Sequence, residues 1–272
     1  MSLTQVAVVQ MNSTPDVEAN MLQAERLVRR AAEAAAKLVV LPEAFAYLGP
    51  EVGQRAIAES LPAGGPLLAR CQGWARTLQV ELVLGGFWEK RSSDERVYNT
   101  SVHLGSDGAV KALYRKIHLF DVELADGTAL KESEKVAPGE EVVVSDAPFG
   151  TLGLSICYDV RFPELYRRLV DLGAIAITVP AAFTLHTGKD HWHVLLQARA
   201  IESQSYVLAA AQAGRCYGSR VSYGHALICD PWGCVVAQCG GEGEGIATAA
   251  IDTELVDRIR SQLPSLRHRR LR

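Results

Sequence analysis

The stretch "TLGLSICYDVRFPELYR", Thr151 to Arg167, carries a short apolar run into Cys157 and then turns abruptly polar. The apolar part reads as a buried strand, and "PELYRRLVDL", Pro163–Leu172, reads as a helix entered through its proline. A strand running into a turn and a helix is the unit of an α/β fold, and it leaves Cys157 at the strand's end. There Cys157 is either one more small buried hydrophobe or a nucleophile held at the mouth of a cleft.

Working outward, the same unit recurs. "VAVVQ", Val6–Gln10, reads as a buried strand, and Ser13 or Thr14 offers an N-cap with Pro15 in the first helical turn. Val17, Met21, Ala24, Leu27, Val28 and Ala31 then follow at helical spacing. "LVVLPE" is a second strand ending at Glu43, Pro66–Gln79 a helix, and "ELVLGGF" a third strand. Past Cys157, "AIAITVP" and "YVLAAAQ" are strands, with a helix at His191–Ser203. Two segments break the alternation. "YNTSVHLGSDGAVKALYRK" turns at Ser106-Asp107-Gly108, and "HALICDPWGCVVAQC" turns at Asp230-Pro231-Trp232-Gly233; both read as hairpins. Strand–helix units mixed with hairpins imply mixed sheets rather than one parallel sheet.

The 272 residues show no repeat or linker that divides them, so one domain over 1–272 is expected. At 48% hydrophobic, 22% charged and net charge -3, the chain carries no electrostatic footprint for nucleic acid or an anionic membrane surface. The basic run "RHRRLR", Arg267–Arg272, suits a solvated tail or a subunit-packing element. No apolar run reaches the roughly 18 residues of a membrane span, and the first residues lack a signal-peptide pattern. A cytoplasmic protein with its six cysteines as free thiols is the expectation. No Gly-rich phosphate loop follows any strand, so no nucleotide cofactor is expected.

Three polar residues stand just past buried strands: Glu43 after "KLVVLP", Lys116 after "AVKALYR" and Cys157 after "LGLSI". Singly, a glutamate there suits a helix start, a lysine is an ordinary surface charge, and a cysteine packs as a hydrophobe. Together they supply a nucleophile, a base for its proton and a positive charge for an oxyanion, with no metal or cofactor.

The blocks that carry these residues, "LPEAF", "YRKIHLFDVE" and "CYDVRFPELYR", resemble the signature blocks of the nitrilase superfamily of carbon–nitrogen hydrolases, in the family's order. "PAAFT", "HWHVLLQARAIESQSYVLAAAQAG" and "SYGHALICDPWG" agree, so the resemblance runs nearly end to end. It implies a four-layer α-β-β-α sandwich of two mixed sheets, assembled as a homodimer or higher homo-oligomer. It also implies that Cys157 attacks an amide carbonyl to give a thioester, that Glu43 moves the protons, and that Lys116 with the Tyr158 backbone N–H holds the oxyanion. A second glutamate before a Pro-Gly pair falls at Glu132, with Glu134 close enough to compete for the role. The helix opened by Pro163 and Glu164 favours a thiolate through its positive end.

Arg161, four residues past Cys157, suits bidentate binding of a substrate carboxylate; by chemistry alone it equally suits an ion pair with Asp159 or Glu164. The resemblance assigns it to a substrate carboxylate and places Phe183 and Thr187 in the pocket wall. "YGHALICDPWG", "TGKDHW" and the terminal "HRR" resemble the deaminated glutathione amidase branch, whose substrate splits into 2-oxoglutarate and cysteinylglycine; the omega-amidase branch, acting on 2-oxoglutaramate, is the neighbour. Other classes compete. His186, His191 and His193 suggest a metal, but i and i+2 positions do not share a helix face, and Cys229, Cys234 and Cys239 match no zinc spacing. A papain-like Cys–His enzyme would make a histidine essential and Glu43 dispensable. A non-enzymatic binding protein could keep the same fold.

Overall fold

In the first strand, Leu3–Met11, Val6 and Val8 face one core while Ala7, Val9 and Met11 face another. The period-2 alternation of a strand makes that division, and because both faces are apolar the strand is buried on both sides. Leu38–Val40 and Glu81–Lys90 repeat it: Leu38, Val40 and Val83 join the first core, and Val39, Leu82 and Leu84 the second. The second core lies under the helices Val17–Glu33 and Pro66–Leu78; the first holds the space between two sheets and the helices Pro163–Asp171 and Leu185–Ser203 beyond them. The computed structural model describes residues 3–123 and 129–271, so Arg272 of the terminal basic run lies outside them.

The eight-stranded sheet runs in the order Arg220–Tyr223, Ala211–Tyr217, Leu3–Met11, Leu38–Val40, Glu81–Lys90, Val97–Leu104, Val110–Arg115, with Gly245–Asp252 antiparallel to Leu3–Met11. The six-stranded sheet runs Val235–Gln238, Leu227–Cys229, Tyr206–Ala209, Ala176–Thr178, Gly150–Leu154, Val144–Ala147. Each has a parallel centre and antiparallel hairpins at an edge, so both sheets are mixed and the α-β-β-α sandwich expected from the sequence is the observed fold. Gly108 (φ +77°) and Gly233 (φ +90°) take the left-handed positions of the two expected turns. All six cysteines are free. Among the described residues no helix is long and apolar enough to cross a membrane.

Several local expectations need correction. The first helix is capped by Asp16, whose carboxylate accepts from the Ala19 N–H at 3.0 Å, and Pro15 lies before the cap. Ser13 and Thr14 are engaged elsewhere: the Ser13 hydroxyl donates to the Phe45 carbonyl, and the Thr14 N–H donates to the Asn20 side chain. The helix expected at His191–Ser203 begins earlier, at Leu185, with Thr184 as its cap. Gly188 hides that start in the sequence, since it is there to let Tyr223 pack closely; a Cβ on it would fall 2.4 Å from the tyrosine's own Cβ. Strands also stop short of the site residues: the second ends at Val40, three residues before Glu43, and Gly150–Leu154 ends three before Cys157.

The sheets are joined at one end. Ala181, just past Ala176–Thr178 of the six-stranded sheet, bridges Ala211 of the eight-stranded one, and Thr184 bridges Ser222. At this seam the ends of both parallel strand groups meet.

Candidate active site

Glu43, Lys116 and Cys157 arrive at the seam from three separate connections. Glu43 follows the end of Leu38–Val40, where Ala44 adopts a left-handed φ of +58°. The chain fits there because the neighbouring strand carries Gly85 and Gly86. A Cβ on Gly85 would lie 2.0 Å from the Leu41 carbonyl oxygen, and one on Gly86 2.9 Å from the Ala44 nitrogen and 3.0 Å from the Glu43 Cα. Cys157 opens a 3-10 turn, Cys157–Arg161, also with a left-handed backbone (φ +49°), and its N–H donates to the Pro180 carbonyl at 2.9 Å. Such a conformation is uncommon in a non-glycine residue, and strained backbone of this kind gathers at functional sites. Lys116 follows Val110–Arg115, and its N–H donates to the Asn99 carbonyl.

The structure brings these side chains into one buried cluster. The Lys116 ammonium donates to Glu43 Oε1 at 3.1 Å and to both Glu132 carboxylate oxygens at 3.0 and 2.8 Å. Glu43 accepts further from Asn99 Nδ2 at 2.9 Å and from the Ala182 N–H at 2.9 Å, and the Cys157 thiol lies near enough for the two groups to shift each other's protonation. The two candidates for the second glutamate separate clearly. Glu132 faces Lys116 and accepts from the Phe120 N–H at 2.7 Å, while Glu134 is exposed beside Lys131.

Burial and charge oppose each other in this cluster. Burial pushes the Glu43 carboxyl up, but the Lys116 charge and the hydrogen bonds from Cys157, Ala182 and Lys116 outweigh it and hold the group below its ordinary value. Burial alone would lower Lys116, yet Glu132, Glu43 and Cys157 raise it above its ordinary value. Burial and the Glu43 charge push the Cys157 thiol well up. The resting arrangement is therefore carboxylate, ammonium and neutral thiol, with a charged base beside the thiol whose proton it would take. The Tyr158 N–H has no acceptor among the described residues, which leaves a backbone donor beside the sulfur.

A second network, not anticipated from the sequence, fixes the turn that carries Cys157. Asp159, fully buried, accepts from the Ile156 N–H at 2.8 Å, the Tyr114 hydroxyl at 2.7 Å and the His118 N–H at 3.1 Å, with His118 Nδ1 2.8 Å from it. It thereby ties the nucleophile's turn to the residues on either side of Lys116. Its signal lay inside the quoted blocks, "CYDV" and "LYRKIH", but pairing them needs the fold.

A cleft opens over the cluster. It spans about 890 Å³ when counted out to open solvent. Cys157, Tyr158, Phe183 and Thr187 line it, and so do Trp88, Tyr217 and Arg220, which the sequence did not single out. Arg161 stands behind the wall. Its guanidinium lies 5.3 Å from the Phe183 ring centre and 5.8 Å from that of Tyr158, and it donates to His191 Nδ1 at 3.3 and 3.4 Å. Neither Asp159 nor Glu164 pairs with it among the described residues. His193 contacts Gln238, and no group of three or more potential metal ligands occurs among the described residues.

Comparison with known proteins follows the same lines. A family model described as carbon-nitrogen hydrolase matches residues 5–261. A relative from Synechocystis named deaminated glutathione amidase is 46% identical over 267 residues, covering 97% of each chain. The human protein of that name is 46% identical over 270 residues, covering 97% of this chain and 82% of its own. The crystal structure of Saccharomyces cerevisiae Nit3, described as a member of branch 10 of the nitrilase superfamily, superposes with a TM-score of 0.89 at 34% identity, covering 99% of this chain and 97% of that one.

Proposed function

The chain belongs to the carbon–nitrogen hydrolase family, and on that premise we propose that it is an amidase of small carboxylate-bearing 2-oxo acid amides, with Cys157 as nucleophile. The observation that carries the reading is the buried Glu43 carboxylate, bonded to the Lys116 ammonium at 3.1 Å and interacting with the Cys157 thiol, all three lining one cleft.

The chemistry follows from the resting protonation. As Cys157 Sγ closes on the amide carbonyl, its proton passes to Glu43, so no free thiolate need form first. Negative charge grows on the carbonyl oxygen, where the Lys116 ammonium and the unpaired Tyr158 N–H are the donors at hand. Glu43 then gives its proton to the amide nitrogen, the C–N bond breaks, and the amine leaves behind a thioester on Cys157. In the second half Glu43 takes a proton from water, the hydroxide attacks the thioester carbonyl, and the acid departs as the sulfur regains its proton. Glu132 keeps Lys116 charged and aimed throughout, while Asn99 and the Ala182 N–H hold Glu43 in place.

Deaminated glutathione is the substrate we assign, supported by the names of the relatives from Synechocystis and human. Arg161 then answers the carboxylate of the 2-oxo acid by a short swing from His191 past the Phe183 ring. By the family resemblance we propose a homodimer or larger homo-oligomer as the working form, and for lack of any signal-peptide pattern we place it in the cytoplasm. The test is product release from deaminated glutathione, 2-oxoglutaramate, succinamate, N-carbamoyl amino acids and simple nitriles. The highest kcat/KM is expected on deaminated glutathione. A clear preference for 2-oxoglutaramate would move the protein to omega-amidase chemistry, and no turnover of either keto-acid amide would remove the proposed substrate class.

A further inference from the structure

Nearly every charged side chain lining the cleft is answered by an opposite one. Glu43 and Glu132 share Lys116, Glu51 pairs with Lys135, and Lys131 lies 3.9 Å from Glu134. Arg220 is the exception. It has no hydrogen bond or ion pair with any described residue, and its Nε is buried without a partner. A buried donor without an acceptor is costly, and a guanidinium in a cleft wall is shaped to take a carboxylate in bidentate fashion.

Its position in the fold says which part of a substrate it meets. Arg220 opens the edge strand Arg220–Tyr223, opposite Tyr217, and two residues on Ser222 bridges Thr184. Arg220 therefore approaches the Phe183–Thr187 wall from the eight-stranded sheet, whereas Arg161 approaches it from the nucleophile's own turn, over Phe183 and Tyr158. Two cations from two elements call for two anionic groups. The monoamide of a five-carbon 2-oxo dicarboxylic acid offers one, which Arg161 takes in the reading above. A second must come from the amine half of the substrate.

Resting on the amidase reading, we propose that Arg220 binds a carboxylate carried by the leaving amine, and so selects amides of carboxylate-terminated amines, such as a dipeptide, over primary amides. The wall holds the amine half by charge while Cys157 works on the acyl half. When the C–N bond breaks, the departing amine is itself an anionic peptide that Arg220 must release, so the same residue sets both selection and product exit.

The test compares deaminated glutathione with its C-terminal carboxamide, which differs only in the loss of that one charge. For the wild-type enzyme kcat/KM should favour the carboxylate by about 10- to 100-fold, the scale of a charge-assisted bidentate contact. In Arg220→Ala the ratio should fall to about one, and in Arg220→Lys it should be intermediate, because a point charge replaces the fork. Equal rates on both substrates in the wild type, or an unchanged ratio in Arg220→Ala, would overturn the proposal. The same pair is also titrated onto Cys157→Ala protein, with and without Arg220→Ala, by calorimetry. Should the wild type hydrolyse neither compound, the amidase reading falls, and the binding ratio still decides for or against Arg220. Since Arg220 holds nothing else in place, a matching thermal midpoint for Arg220→Ala checks that the fold is intact.

Discussion

Arg115 and Lys116 are chain neighbours, and each meets a buried glutamate, yet the two pairs differ in kind. Arg115 forks onto Glu89 at 2.8 and 2.6 Å, the Thr100 hydroxyl completes that carboxylate, and the guanidinium lies 4.3 Å from the Tyr98 ring centre with part of its length in solvent. Lys116 is 2% exposed, shares one ammonium between two carboxylates, and has a thiol on the far side of one of them. The first pair is closed: every strong acceptor has its donor, and neither residue lines the cleft over Cys157. The second lines a cleft, with one carboxylate beside a thiol whose proton can move. A buried ion pair alone is thus no sign of chemistry; the mobile proton and the access make the difference.

The comparison breaks most sharply under Cys157→Ala and Glu43→Gln. Each should lower kcat by about 10³-fold or more while the protein stays folded. Glu89→Gln should leave kcat within about twofold and instead lower stability by about 1–3 kcal/mol, read in urea unfolding. If Glu43→Gln were as mild as Glu89→Gln, the two pairs would be of one kind and the base would lie elsewhere. Lys116→Met is expected to affect both readouts, since it leaves Glu43 and Glu132 facing each other without a cation. Activity should vanish, and stability should fall by about 3–5 kcal/mol.

Gly86→Ala separates geometry from charge. Its new Cβ would press on the Ala44 nitrogen and the Glu43 Cα, displacing the base without removing it. A loss of about 10- to 100-fold in kcat is expected, the scale of a small misplacement of a reacting group.

The pH profile is the gentlest of these probes. Burial raises Glu43 but Lys116 and the hydrogen bonds from Cys157, Ala182 and Lys116 hold it below 4.5, so the base stays charged through neutrality. The acid limb of kcat/KM should fall only below pH 4.5, whereas a Cys–His pair would place a limb near about 6.5. The sign for stability is the same: a depressed carboxyl contributes above 4.5 and loses that contribution as pH falls through its folded value. Lys116, raised by Glu132 and Glu43 against the effect of burial, contributes fully below 10.5 and loses it as pH rises through its higher folded value.

Glu43, Lys116 and Cys157 were legible because each follows an apolar run that fixes where its strand points, and because the blocks around them resemble a known family. What stayed hidden depends on pairings across the chain. Asp159 reads as one acid among many until Tyr114, His118 and the Ile156 N–H converge on it. The Ala182 N–H leaves no trace in a side-chain pattern at all. Ser13, Thr14 and Asp16 are equally able to cap a helix; the Ser13 hydroxyl goes to the Phe45 carbonyl and the Thr14 hydroxyl accepts from the Asp16 N–H, which leaves the role to Asp16. Arg220 lies in a polar hairpin whose strands are unremarkable in sequence, and it becomes visible only as the unanswered charge in a cleft wall.

The most direct test of the centre is rapid-quench intact-mass analysis of the wild-type enzyme turning over deaminated glutathione, followed by peptide mapping. A 2-oxoglutaryl adduct should accumulate on the peptide that carries Cys157 and should be absent from Cys157→Ala, which should not turn over. Normal turnover by Cys157→Ala, or an adduct mapped to any other residue, would contradict the account.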